Sequence, residues 1–277
     1  MSKRRFIAPA RAEVDPACFA HPIYADYAQW QAWMRGADWP CINALNAALS
    51  AERHRFALQD RGLMDDCLHY EARIAERGLI ATRVDNWHDL FNAMVWCLWP
   101  LIKLALNARQ CAQIAVTGPS RRNRAQHALT QFDEGGVIVR VRDPELLRLW
   151  DRHDWPMLFK ANAQAWTRGD IGVVAVIGHA LLERALRPGL LLTGKALVIL
   201  EDADAAGPPD AQACVERVAR MTAGAELLHD PLELRPLPLA GIPGWFAGQG
   251  AAFYQGAECF RPLRAGRVYP APITSTG

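Results

Sequence analysis

Paired cysteines are absent. The seven present, Cys18, Cys41, Cys67, Cys97, Cys111, Cys214 and Cys259, are odd in number and widely spaced, and no two form a CxxC pair. That pattern argues against a disulfide framework or a thiolate zinc site, and for a reducing compartment. The first residues carry charge but no apolar h-region, so no signal peptide is expected and a cytoplasmic location is. Long apolar runs are also missing. The longest, Leu90–Ile102, holds Asn92 and Pro100 and is followed by Lys103, which is too short and too polar to span a bilayer, so no membrane is expected as a partner. Net charge is only +2, which gives no broad attraction to nucleic acid, and nucleic acid is not expected as a partner. The local basic groups, Lys3-Arg4-Arg5 and Arg121, Arg122 and Arg124, read as solvated surface.

The sequence lacks GxSxG, HExxH, GxGxxG and the protein-kinase set, which removes the nucleophile elbow, the zincin helix and the dinucleotide fingerprint. One near match fails on inspection. Gly189–Ala196 fits the first seven places of GxxxxGK[ST], but Ala196 stands where the magnesium-binding hydroxyl belongs. The context is also inverted, with a helix before and a strand after. No internal repeat or low-complexity segment is present.

What remains is ordinary globular composition, 51% hydrophobic and 22% charged over 277 residues, enough to bury a large core. Residues 1–24 read as an irregular segment, 25–265 as one globular domain and 266–277 as a flexible tail. A helix is expected over about 25–35. Leu68, Tyr70, Ala72 and Ile74 alternate as a strand does, although a helix ended by Gly78 fits the same residues. A long helix is expected from His88 to Arg109, kinked near Pro100, and another over 121–131, stopping at Gly135-Gly136. Val137–Val139 reads as a strand. Asp143-Pro144 opens a helical region through its cap and first-turn proline, broken near Pro156 and continuing to Gly169. Ile171–Ile177 and Ala196–Leu200 read as buried strands, 201–209 as a polar loop, and 210–222 as a helix. From Pro231 onward a Pro/Gly-rich segment is expected to wrap over the domain. Helices and strands mix without a βαβ rhythm, so the fold class is α+β, predominantly helical with a small mixed sheet.

Three segments carry candidate chemistry. On a helical wheel, His88, Asn92, Trp96, Trp99, Lys103 and Asn107 fall within an arc of about 100° on a helix otherwise apolar. Buried polar groups need partners, so the stripe reads either as a pocket wall or as a set of structural hydrogen bonds. At Gly178–Glu183 a strand gives way to a helix. His179 would sit at its start and Glu183 one turn on, a spacing that suits a base with its orienter or a metal ligand pair. Asp133 and Glu134, before two glycines, could meet a divalent metal or a basic side chain, or simply end a helix. Pro236–Trp245 reads as a clamp or pocket rim, and Arg261 with Arg264 could serve an anion or Asp133 and Glu134.

The combination of Thr82-Arg83 with Trp87–Asn92, Lys103 with Asn107, Phe132–Glu134, Gly178–Glu183, Pro236–Trp245 and Phe260–Pro262 resembles bacterial domain-of-unknown-function family 3025 over about residues 50–265. The resemblance implies kinship and imports no activity.

From the residues themselves the leading expectation is a hydrolase-like enzyme. His88, Asp89, His179 and Glu183 would be catalytic, and Asn92, Lys103, Asn107 and Arg261 would bind substrate. Asp133 and Glu134 would be tentative ligands for a divalent metal. A small-molecule or phosphorylated substrate fits that set. Two alternatives stand beside it: a non-catalytic binding or scaffold protein, and a nuclease of the His-metal finger type using His88 and Asn107. The single-site version requires His88 and His179 to lie within reach of each other.

Overall fold

The computed structural model describes residues 6–118, 120–201 and 210–274. The basic run at residues 3–5 and most of the expected 201–209 loop lie outside them.

The chain opens with short 3-10 turns from Arg11 to Trp30, then α1 (Gln31–Arg35), α2 (Ile42–Ala48), β1 (Arg55–Leu58) and α3 (Arg61–Met64). Residues Tyr70–Arg77 form α4, the helical alternative of the two readings. Gly78 ends it at φ 65°, where a Cβ would stand 2.1 Å from the Arg53 carbonyl oxygen, so only glycine fits. Then comes β2 (Leu79–Thr82), parallel to β1.

The expected long helix is two: α5 (Trp87–Leu98) and α6 (Pro100–Thr117), bent by 110°. Proline lacks the N–H and its ring collides with the preceding turn, while the residue before it is driven out of the helical region. Trp99 accordingly sits at φ −125°, ψ 55°. The single wheel therefore does not hold across Pro100. Among the described residues no single helix is long and apolar enough to cross a membrane.

Next come α7 (Arg124–Gly135), β3 (Gly136–Val141), α8 (Pro144–Asp151), a π-helical turn at Pro156–Ala161, α9 (Ala163–Arg168), β4 (Ile171–Val176), α10 (His179–Ala185), β5 (Thr193–Leu200) and α11 (Ala211–Ala223). Asp143 caps α8 by accepting from Glu145 N, as its position before proline predicts. β3 is buried along its whole length between antiparallel β4 and parallel β5. That burial explains its near-continuous apolar sequence. Thr193 and Lys195 belong to a strand, so the phosphate-loop look-alike has no strand-loop-helix frame.

The C-terminal segment does more than wrap. β6 (Arg235–Pro238) pairs antiparallel with the start of β5, and β7 (Ile273–Thr274) pairs parallel with its end, with α12 (Ala251–Gly256) between them. Pro236 and Pro238 are tolerated because β6 lies at an edge of the sheet. The architecture is α+β, helices around a small mixed sheet.

Two tyrosines of the N-terminal turns tie the functional end together. Tyr24 Oη donates to the Leu182 carbonyl (2.8 Å) and Tyr27 Oη to the Val176 carbonyl (2.6 Å), strapping β4 and α10. Both rings are fully buried, so the straps form part of the core.

Candidate functional site

The site is assembled where α5, α6, α7 and α10 converge. Asn86 caps α5 by accepting from Asp89 N, which puts His88 in its first turn. On the other side β4 ends at a tight turn in which Ile177 N and Gly178 N both donate to the Gly136 carbonyl. A Cβ on Gly178 would stand 2.6 Å from Gly135 Cα, so glycine alone lets the start of α10 close on the end of α7. This approach brings His179 beside Asp133.

His88 and His179 then meet, Nε2 to Nε2, at 3.1 Å, with ring planes at 77°. His88 Nδ1 lies 3.0 Å from Glu183 Oε2. A carboxylate only accepts, so Nδ1 carries hydrogen. The Glu183 bond raises the His88 pKa above its ordinary value, against the opposing effect of burial. His179 behaves oppositely: burial, with help from Lys103 and His88, pushes it down to about 3 despite the pull of Asp133. Its Nδ1 is buried without a well-formed hydrogen bond among the described residues, the Asp133 main chain adds to the carboxylate's pull on the ring, and Asp133 Oδ2 is 3.8 Å away.

Asp133 is the hinge of the network. Burial alone would raise its pKa, but Lys103 and then His179 outweigh it and hold the carboxyl below the usual range. Lys103 Nζ is 2.5 Å from Asp133 Oδ1 and donates also to Asn92 Oδ1 (2.9 Å). Asn92 Nδ2 in turn donates to Tyr70 Oη (3.0 Å). The bend at Pro100, rather than a common helical face, lets Asn92 of α5 reach Lys103 of α6.

Tyr70, Lys103, Asp133 and His179 wall a cavity of about 360 Å³ that also includes Glu71, Trp96, Gln110, Arg122 and Thr130. Asn107 Nδ2 donates to Glu71 Oε2 (2.6 Å) and to the Glu71 carbonyl (3.0 Å). Burial pushes the Glu71 carboxyl up to about 7, further raised by Asp133 and opposed by Asn107 and Lys103. One cavity thus holds an acid poised near neutrality, an ionised carboxylate, and a neutral imidazole.

Of the residues proposed from sequence, His179, Asp133, Lys103, Asn107 and Glu134 line the cavity, with Glu134 exposed at its rim. Asn92 supports it through Lys103 and Tyr70, and His88 and Glu183 stand behind His179. Two residues fall elsewhere. Asp89 is bound in a fork to Arg83 Nε (3.0 Å) and Nη2 (2.8 Å) and accepts from Arg83 N, so both oxygens serve the loop before α5. Arg261 lines a different cavity and pairs with neither Asp133 nor Glu134.

The donor set also departs from the metal expectation. Among the described residues no three His, Cys, Asp or Glu side chains are grouped to hold an ion, and the Lys103 ammonium already occupies the position on Asp133 Oδ1 that a cation would take. The nuclease alternative lacks its frame: β1 and β2 run parallel rather than as a hairpin leading into a helix, and Asn107 binds Glu71.

Glu71 and Tyr70 were missed from sequence. Their signal lay in the choice between strand and helix at residues 68–77. Read as the helix that Gly78 ends, Tyr70 and Ile74 share one face with Glu71 beside them, toward α6.

An α+β protein with a half-enclosed polar cavity and a His–His pair at its wall is the class that fold and site define. The chain belongs to the family described as protein of unknown function (DUF3025), whose model matches residues 54–264, a span holding all of the cavity residues. No curated protein and no solved structure matches the chain.

Proposed function

We propose that the protein is a hydrolase acting by general acid–base catalysis on a small-molecule substrate held in the 360 Å³ cavity. The observation that carries this reading is the His88–His179 pair, in which His179 stands in the cavity wall beside Asp133 and its Nε2 meets the His88 ring that Glu183 holds.

The tautomers follow from the partners. His88 Nδ1–H points at Glu183, so in the neutral pair His88 Nε2 is an acceptor and His179 Nε2–H donates to it. His179 Nδ1, buried beside Asp133, is then the basic nitrogen, the state a general base requires. As water attacks the substrate, its proton goes to His179 Nδ1. The Nε2 proton of His179 passes to His88 Nε2, and the resulting imidazolium rests against Glu183. The leaving group takes its proton from Glu71, whose elevated pKa suits an acid near pH 7. Asp133 with Lys103, and Asn107, fix the polar geometry around the reacting centre.

The test is a panel of chromogenic carboxylic esters, phosphoesters and glycosides. At least one class should be hydrolysed, and H179N and E71Q should each lower kcat at least about 100-fold while circular dichroism stays unchanged. Turnover that survives H179N, or none across the panel, would sink the reading.

A binding or scaffold role has one observation in its favour: the side chains of His88, Asn92 and Asn107 all bond internally. That role does not account for the cavity or for the carboxyl raised to about 7 in its wall.

A further inference from the structure

A second cavity, of about 710 Å³, lies between α10, the β5–β6 edge and the segment after α12. Five cations, Arg184, Lys195, Arg261, Arg264 and Arg267, stand in its wall against one acid, Glu258. None of the four arginines makes an ion pair among the described residues. In a chain whose net charge is only +2, this concentration of arginines is local. Like charges gathered in a concave wall repel one another and raise the potential at its centre, a cost that a bound anion removes.

One of these arginines is anchored by its own main chain. The Arg261 carbonyl accepts from Trp155 Nε1 (2.9 Å) and from His153 Nδ1 (3.0 Å). Since a carbonyl only accepts, His153 carries its hydrogen on Nδ1 and takes the Tyr269 hydroxyl (2.8 Å) on Nε2. His153 adopts a left-handed backbone, φ 57°, that is uncommon outside glycine. Arg267 stacks over the same Tyr269 ring, 4.1 Å from its centroid. An aromatic frame thus holds the arginine-bearing segment in place before any ligand arrives.

The remainder of the wall is apolar. Leu190 and Leu232 leave 40% and 52% of their surface exposed, and both stand in this cavity. Exposed leucines beside guanidinium groups that form no ion pair among the described residues suit a ligand with an anionic end and an apolar or aromatic body.

We propose that this second cavity is a binding site for a phosphorylated small molecule carrying such a body, with Arg261 and Arg264 as its principal phosphate contacts. A single well within the usual range for small ligands favours that occupant over nucleic acid, which needs a basic track along a surface. The assignment is independent of the hydrolase reading, because the cavity shares no lining residue with the first.

The experiment is calorimetric titration of the full chain with ADP, inorganic pyrophosphate, adenosine and a short DNA duplex. ADP should bind one to one, and R261Q/R264Q should weaken it at least about tenfold with melting temperature unchanged, since both side chains are exposed. Pyrophosphate should bind more weakly than ADP and adenosine more weakly still. Absent saturable ADP binding, affinity untouched by R261Q/R264Q, adenosine or pyrophosphate matching ADP, or the duplex binding more tightly than ADP would each overturn the proposal. H179N should leave ADP affinity unchanged, which separates failure here from failure at the first cavity.

Discussion

Nε2 of His88 lies 3.1 Å from Nε2 of His179, although 91 residues separate them. Two such nitrogens can hold only one hydrogen between them, so the protonation of one ring sets the tautomer of the other. When His88 is neutral, His179 carries its hydrogen on Nε2. When His88 gains a second proton, it donates to His179 Nε2, and His179 must move its hydrogen to Nδ1, the nitrogen facing Asp133. Nitrogen-15 histidine spectra should show His179 as the Nε2–H tautomer at mildly alkaline pH. It should switch to Nδ1–H as His88 titrates, above the ordinary value of about 6.5. His179 holding hydrogen on Nδ1 throughout would contradict the relay.

Acid should weaken the fold through His179. Its pKa is lowered to about 3 by burial, with help from Lys103 and His88. Between about pH 6.5 and that value the unfolded chain takes up a proton that the folded chain refuses. Stability therefore falls as pH drops through this window. His88, raised by Glu183, acts in the opposite sense: its contribution is present below about pH 6.5 and fades as pH rises through its folded value. Urea unfolding across the acidic range should show a shallower loss in H179N than in the parent chain.

Glu71 should produce the complementary effect on the alkaline side. Its carboxyl is raised to about 7 by burial, so the folded chain keeps a proton that the unfolded chain releases near pH 4.5. Stability is thus lost as pH climbs from about 4.5 to about 7, and little changes above that. E71Q mimics the neutral acid and should be more stable than the parent chain at about pH 8, while losing the proton that the proposed chemistry needs. Denaturant midpoints at acidic and alkaline pH settle the first point, and kcat the second. An E71Q chain less stable than the parent at alkaline pH would place the carboxylate in a stabilising ion pair instead.

Sequence patterns reached the site unevenly. His179 and Glu183 were legible because a strand–Gly–helix turn constrains where side chains point, and His88 because it heads the polar stripe on its helix. β3, β4 and β5 were legible from their β-branched runs. The polar stripe was half right. Lys103, Asn107 and Trp96 do wall a cavity, but a straight-helix wheel cannot describe two helices at 110°, and the Asn92–Lys103 bond depends on the bend. Asp89 stands away from the cavity because its partner, Arg83, precedes the helix, where no periodicity speaks. Arg261 was drawn toward Asp133 by charge alone, while the edge strands that carry its segment away reveal themselves only in tertiary pairing. Glu71 was hidden because a short segment with alternating apolar residues fits either period.

Gly178→Ala tests how the site is closed. The added methyl would stand 2.6 Å from Gly135 Cα and 2.7 Å from the Glu134 carbonyl oxygen, both backbone atoms that cannot rotate aside. Relief requires α10 to move off α7, which parts His179 from Asp133 and His88. The cost should be about 2–4 kcal/mol, read by thermal unfolding, with the His88–His179 tautomer coupling lost in the same variant. A substitution tolerated without loss of stability would show that the two helices are not held as closely as their backbones stand.

Lys103 and Asp133 stand or fall together. Lys103 is 4% exposed and its ammonium meets Asp133 at 2.5 Å, while Asn92 takes a second of its hydrogens. The ammonium also lies over the Trp96 ring, 5.6 Å from its centroid. Removing the charge in K103M keeps the stem but strands a carboxylate that burial already disfavours, so the fold should lose about 2–4 kcal/mol. Asp133 would escape by taking up a proton, and its pKa should rise above the ordinary carboxylate range instead of lying below it. Adding D133N to K103M removes the stranded charge, so the double variant should be more stable than K103M alone. The coupling from the complete double-mutant cycle then measures the pair itself. Because the Asp133 charge also faces His179, D133N alone should lower the His179 pKa still further, since the attraction that opposes its burial is gone. Additive effects of the two substitutions, or an unmoved His179, would mean that this carboxylate does not join the ammonium to the histidine pair.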